Sequence, residues 1–238
     1  MSIKYTQIVQ TLPSSVPFVG PEAQERRLGK NFEARIGANE SVFGASPKAV
    51  LAMMDETGQA WKYGDPESFD LKHALAKKHN VAFENIIVGE GIDGLLGYLV
   101  RLFVEQGDNV VTTDGAYPTF NYHVEGFGGQ LHKVPFKDDT EDLDNLLNKV
   151  IETKAKMLYI SNPNNPMGTI NSVNDINNLI EYLPTETLLC LDEAYIDFST
   201  DTASAIPLIA RFPKLIVVKS LTKAFAIPGL RLGYILAA

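Results

Sequence analysis

From Ile86 onward, short apolar runs alternate with longer stretches of helical character, and this alternation narrows the possible folds more than any other feature. Strands are expected at Ile86–Val88, Asn109–Thr113, Gln130–Pro135, Lys156–Ser161, Thr187–Asp192, Lys214–Ser220 and Leu232–Ala237. Helices are expected between them at Asp93–Glu105, Tyr117–Gly126, Leu143–Glu152, Val173–Tyr182 and Ser204–Ala210. Strand–helix alternation is the signature of an α/β sheet, and such sheets bind ligands outside the carboxyl ends of their strands. Upstream, Pro47–Met54 reads as a helix with proline in its first turn, and Asp70–His79 as another. Roughly the first 35 residues read as irregular, with Pro13, Pro17 and Pro21 interrupting any long helix.

Chemistry-bearing residues cluster just after three of the apolar runs. Lys223 follows Leu215-Ile216-Val217-Val218, is flanked by Ser220 and Thr222, and precedes Arg231 by eight positions. A lysine at a strand end can be desolvated and shed its proton, and the neutral amine attacks aldehydes. Hydroxyls and a guanidinium nearby would hold a phosphate. Amine, aldehyde and phosphate together suggest pyridoxal 5′-phosphate (PLP). A strand edge capped by solvated cations accounts for this segment equally well when it is taken alone.

The second cluster shifts that balance. Thr187-Leu188-Leu189-Cys190-Leu191-Asp192 reads as a buried strand ending in an acid, which is costly without a partner. A carboxylate facing a pyridine nitrogen would keep it protonated and let the ring draw in electrons. Asp192 could also serve only as a helix cap. The third cluster, Asn162-Pro163-Asn164-Asn165-Pro166-Met167-Gly168, is at the least a turn.

Together, Asn162 through Gly168, Asp192-Glu193-Ala194-Tyr195 and Ser220 through Lys223 to Arg231 resemble the fold-type I PLP-dependent aminotransferases of class I/II. The histidinol-phosphate aminotransferase branch is the nearest. The motifs stand in family order, 27 residues from Asn165 to Asp192 and 31 from Asp192 to Lys223, and the resemblance runs from about Ala38 to the last residue. It implies a three-layer α/β/α PLP-transferase large domain with a mostly parallel seven-stranded sheet over 41–238. Residues 1–40 would form an N-terminal arm and part of a small domain. It further implies a homodimer acting in amino-acid biosynthesis.

The resemblance assigns roles residue by residue. Lys223 would form the Schiff base with PLP and then act as general acid/base. Asp192 would pair with the pyridine nitrogen, and Tyr195 and Asn165 would donate to the cofactor O3′. Ser220, Thr222 and Arg231 would bind the phosphate, Arg231 as a bidentate clamp, together with backbone N–H groups of Gly91, Ile92 and Asp93. Threonine at 222 replaces the usual serine and keeps the hydroxyl. Tyr117 would stack on the pyridine face, unless it is a core aromatic at a helix start. Tyr63 would reach across the dimer to the partner's phosphate, although Tyr63-Gly64-Asp65-Pro66 departs from the usual Tyr-Pro-Asp. Asn39-Glu40 would line the substrate entrance, without the proline that usually follows.

A rival reading exists for Gly89-Glu90-Gly91-Ile92-Asp93-Gly94, which matches G-x-G-x-x-G and is followed twenty residues after Gly94 by Asp114. That spacing fits a dinucleotide-binding fingerprint. It leaves Lys223, Asp192 and Asn165 without roles. The four histidines show no i, i+4 metal pair, so no metal is expected, and no G-x-S-x-G elbow occurs.

The resemblance implies transfer of an amino group from an amine or amino acid, of the histidinol-phosphate or aromatic type, to 2-oxoglutarate. Decarboxylation of a phosphorylated amino acid and a non-catalytic PLP-binding fragment are the alternatives, since the cofactor motifs cannot separate them. The sequence stops within an apolar run, Tyr234-Ile235-Leu236-Ala237-Ala238, where the family usually continues for roughly another hundred residues, a family expectation. The chain therefore reads as a large-domain fragment that lacks the substrate-carboxylate arginine and has little activity by itself.

The remaining bounds are broad. With 238 residues the chain can bury a large core in one domain, or one plus a small appendage. Its net charge of -8 opposes binding to nucleic acid or anionic lipid. The single cysteine, Cys190, lies in an apolar strand and reads as core. The start at Met1-Ser2 shows no signal-peptide h-region, and no apolar run is long enough to span a bilayer. A cytoplasmic location is expected.

Overall fold

The computed structural model describes residues 3–13, 18–200 and 202–238. The Met1-Ser2 start and Pro17 lie outside the described residues. Fifteen helices and strands follow in chain order. They are α1 (Gln7–Thr11), α2 (Pro21–Leu28), α3 (Pro47–Glu56), α4 (Phe69–His79), β1 (Ile86–Gly89), α5 (Gly91–Phe103), β2 (Asn109–Thr113) and α6 (Pro118–Gly126), then β3 (Gln130–Val134), α7 (Leu143–Thr153), β4 (Met157–Ser161), α8 (Val173–Tyr182), β5 (Leu188–Asp192), β6 (Leu215–Ser220) and β7 (Gly233–Leu236). Every expected strand forms, with ends shifted by no more than one residue.

The strands form one sheet in the order β1-β7-β6-β5-β4-β2-β3. β7 runs antiparallel to both neighbours, and the other pairs are parallel. Because strand side chains alternate, each central strand feeds two cores. Leu158, Ile160, Leu189, Leu191, Leu215 and Val217 pack on one face with α7 and α8. Met157, Tyr159, Cys190, Ile216 and Val218 pack on the other with α5 and α6, where Phe120 stacks on Tyr159 at 4.2 Å between ring centroids. Carrying the alternation to the strand ends puts Asp192 and Ser220 on the α5/α6 face, and Glu193 and Lys219 on the opposite one.

Two expectations need correction. The first 35 residues contain two short helices. Pro21 opens α2, because a missing N–H is harmless at the first helical position. Thr6 caps α1 by accepting from the Val9 N–H at 3.4 Å. The expected helix at Ser204–Ala210 is instead a five-residue 3-10 turn, Ile206–Ala210, with Pro207 in it. So short a run, one of its N–H groups missing, has no room for an α-helical ladder.

The sheet order also overturns the dinucleotide reading. β1 lies at one edge and β2 five positions away, with α5 crossing between them, so Gly89–Gly94 and Asp114 stand at distant strand ends. The fingerprint requires its acid within a compact βαβ unit beside the glycine turn. Asp114 instead faces Lys133 of β3 at 3.9 Å.

Candidate active site

At the carboxyl ends of β5 and β6 a cavity of about 630 Å³ opens on the α5/α6 face. Ten of the twelve residues singled out from the sequence line it: Ile92, Asp93, Tyr117, Asn165, Asp192, Tyr195, Ser220, Thr222, Lys223 and Arg231. Gly91 lies behind this wall, against the Arg231 guanidinium. Tyr63 is fully exposed and is not part of the cavity.

One end of the cavity carries polar hydrogens suited to an anion. α5 begins here, so the N–H groups of its first turn have no helical partner. Ser220 and Thr222 share a hydrogen bond of 2.5 Å between their hydroxyls, and the Thr222 N–H donates to Ser220 Oγ at 3.0 Å. Arg231, at φ +50°, turns back over α5 with Nη2 3.8 Å from Asp93 Oδ2. Tyr117, just before α6, donates its hydroxyl to Asp93 Oδ1 at 2.5 Å. Burial, followed by that bond to Asp93, raises the Tyr117 pKa, so the phenol keeps its proton.

Gly91 is needed for this geometry. It opens α5 at φ +79°, and a Cβ there would stand 2.7 Å from Arg231 Nη2. Gly233 supports the same contact, since its Cβ would stand 3.0 Å from the Gly91 backbone. Gly91→Ala is therefore expected to destabilise the fold by about 1–2 kcal/mol from left-handed backbone strain and to displace Arg231. Denaturant unfolding compared with wild type measures it, and an unchanged midpoint would show that α5 tolerates a side chain at its start.

The opposite end is a buried acid. Asp192 ends β5, its Oδ1 accepting the Ala194 N–H at 2.9 Å and its Oδ2 the Tyr159 hydroxyl at 2.8 Å. Burial pushes the carboxyl up to about 6, against the pull of those two hydrogen bonds. No feature of the apolar Leu158-Tyr159-Ile160 run had marked Tyr159 as a partner of Asp192. The pairing follows from register, because Tyr159 and Cys190 are opposed across β4 and β5 and their side chains share a face.

Lys223 lines the same cavity, three residues past β6. Its Nζ donates to the Ala38 carbonyl at 2.9 Å and stands 5.8 Å from the Tyr195 ring centroid. Burial lowers its pKa, offset in part by Asp93, Glu40 and Asp192 and reinforced by Arg231. Tyr195 accepts a hydrogen bond from Asn39 Nδ2 at 3.0 Å. Arg35 reaches the rim and is engaged by Glu22 at 2.6 Å and Glu40 at 3.8 Å.

Lys219 and Glu141, which none of the sequence motifs marks, are also buried. Lys219, only 1% exposed, meets Asp197 at 3.3 Å and Glu193 at 3.9 Å on the far face of the sheet. Glu141 sits beneath the Asn162–Gly168 turn. Strand periodicity could have placed Lys219 away from Ser220, whereas Glu141 lies in a polar run that looks like ordinary surface loop.

Residues 34–238 match the family model of aminotransferase class I and II. The histidinol-phosphate aminotransferase of Lactiplantibacillus plantarum is 31% identical over 230 residues, covering 95% of this chain and 64% of that protein. The crystal structure of histidinol-phosphate aminotransferase from Sinorhizobium meliloti in complex with pyridoxal-5′-phosphate superposes with a TM-score of 0.94 at 46% identity, over 100% of this chain and 64% of that one. L-threonine-O-3-phosphate decarboxylase from Porphyromonas gingivalis shares the fold, with a TM-score of 0.70 at 23% identity over 82% of this chain and 59% of that one. The chain thus spans a little under two thirds of the length of the relatives it matches.

Proposed function

The chain belongs to the aminotransferases of class I and II, and we propose that its cavity holds PLP for amino-group transfer between an amine or amino acid and 2-oxoglutarate. One observation carries the reading: a desolvated amine, Lys223, shares a single cavity with a buried acid and an anion-binding corner.

The residues present fit the cofactor. The corner formed by the α5 N-terminus, Ser220, Thr222 and Arg231 suits a phosphate dianion. Asp192 is a carboxyl whose burial leaves it short of a cationic partner, which a protonated pyridine nitrogen would supply. When bound, PLP supplies an aldehyde for the amine and a ring that accepts the electron pair released at the substrate α-carbon.

The chain's own residues do the rest. Arg231, Ser220 and Thr222 anchor the phosphate, and the Asp93 carboxylate, held by Tyr117, keeps Arg231 aimed at the corner. Asp192 holds a proton on the pyridine nitrogen. Asn165 and Tyr195 would donate to O3′, and Tyr117 would cover the ring. Lys223 would be the residue that holds the cofactor's aldehyde carbon, and its amine is the base placed to move a proton at the substrate α-carbon. Lys223 Nζ is held by a neutral carbonyl, that of Ala38, which leaves its lone pair available whenever the amine is neutral. The segments Phe18–Pro21 and Gly37–Glu40 close the rim. Tyr63 serves a phosphate only if a second copy brings it there, which is the basis for proposing a homodimer.

The relatives' shared name supports histidinol phosphate as the donor to try first. Full-length protein reconstituted with PLP is expected to form glutamate from 2-oxoglutarate with histidinol phosphate or an aromatic amino acid, and the 238-residue chain much less. Release of carbon dioxide from a phosphorylated amino acid without glutamate would instead establish the decarboxylase, and PLP binding with neither product a binding module.

A further inference from the structure

We propose that Glu141 is a positioning residue for the cofactor site, setting through Asn164 the place from which Asn165 meets O3′; this rests on the PLP reading above. Glu141 is 4% exposed, and its carboxylate touches three segments. Oε1 accepts from Asn164 Nδ2 at 2.7 Å and from the Ser161 N–H at 3.4 Å, and Oε2 is bonded by the Thr113 hydroxyl.

These contacts lie where the sheet itself stops holding. β2 and β4 pair through only two positions, Val110–Met157 and Val111–Leu158. Beyond them Thr113 and Ser161 are joined by the Glu141 carboxylate instead of a backbone ladder. The turn that carries Asn165 hangs from this junction. Asn164 is 3% exposed and closes the turn, its carbonyl accepting the Gly168 N–H at 2.9 Å and its Oδ1 the Met167 N–H at 3.0 Å. A second tie runs from the Thr169 hydroxyl to the Asp139 carbonyl at 2.8 Å, so the 139–141 segment grips the turn on both sides of Asn165.

Glu141 is an unusual choice for a mere spacer. Among the described residues no cation lies within ion-pair distance of it, and burial lifts its carboxyl to about 7. A buried acid without a cation is costly to ionise. What the acid provides is an acceptor for three donors at once. Asp142 beside it is engaged elsewhere, capping α7 through Asn145.

The test is the pH midpoint of the bound cofactor's absorbance change, a quantity that depends on hydrogen bonding to O3′. Glu141→Ala leaves three buried donors without an acceptor and is expected to raise that midpoint by about one pH unit and the PLP dissociation constant about tenfold. Glu141→Gln keeps an acceptor for Asn164 and Ser161 and should recover most of both. Asn164→Ala cuts the same link from the other side, so it should reproduce the midpoint shift even if Glu141→Ala does not fold. Combining either with Asn165→Ala should add no further shift. A folded Glu141→Ala or Asn164→Ala protein with an unchanged midpoint would overturn the inference. A wild-type protein that takes up no PLP, or shows no pH-dependent absorbance with it, would overturn the function proposed above instead.

Discussion

Lys223→Ala is expected to abolish covalent capture of PLP and to reduce glutamate formation by at least about 10²–10⁴-fold, the range associated with loss of a positioned acid/base. The expectation is specific because the structure contains a competing lysine. Lys219 is more deeply buried than Lys223 and lies only four residues away. It points to the opposite face of the sheet, where Asp197 and Glu193 surround it with negative charge. An ammonium held between two carboxylates is a poor nucleophile, whereas an amine beside a neutral carbonyl and lowered by burial is a good one. Borohydride reduction of the PLP-loaded protein, digestion and peptide mapping should place the pyridoxyl group on Lys223 alone. Label on Lys219, or full labelling of Lys223→Ala, would sink the assignment.

Those two lysines also show how much of the molecule was legible beforehand. Both the sheet and the face on which the cavity opens follow from alternation. Leu215 to Val218 fill two cores in turn, so Ser220 must fall on the α5/α6 side and Lys219 on the other. Asp192 was legible for the same reason, as an acid at the end of an apolar run. Its partner Tyr159 was not, since a tyrosine inside such a run looks like core until register sets it against Cys190. Glu141 was hidden more thoroughly. It sits among Asp138, Asp139, Thr140 and Asp142, and its contacts to Thr113, Ser161 and Asn164 form only once the sheet is assembled. The N-terminal helices are less legible because prolines interrupt long helices, although Pro21 sits in a first turn, where the N–H has no helical partner. Long-range register and loop burial are properties of the assembled sheet, and local pattern does not encode them.

Asp192→Asn should separate stability from catalysis by moving them in opposite directions. In the unfolded chain Asp192 loses its proton near the ordinary value of 3.8, but in the folded protein only near 6. Between those values the folded state binds more protons, so this group's contribution to stability falls as pH rises from about 4 to about 6 and stays low above that. The penalty above pH 6 amounts to roughly 3 kcal/mol by linkage. Asparagine removes it while keeping both contacts, since its carbonyl can accept the Ala194 N–H and its amide can donate to the Tyr159 oxygen. The cofactor-free variant should therefore be more stable than wild type at pH 8, with the difference closing near pH 4. PLP reverses the order, because a protonated pyridine nitrogen gives the wild-type carboxylate the partner it lacks and gives asparagine none. PLP should thus raise the melting temperature of wild type more than that of the variant, while glutamate formation by the variant falls by about 10²–10³-fold, the scale of removing one preorganised charge from a reacting site. Thermal unfolding at pH 4, 6 and 8, with and without PLP, measures both halves. A variant that is less stable than wild type at pH 8 without PLP would mean that the carboxylate is already compensated in the folded chain, and turnover near the wild-type rate would mean that no charge at position 192 is needed.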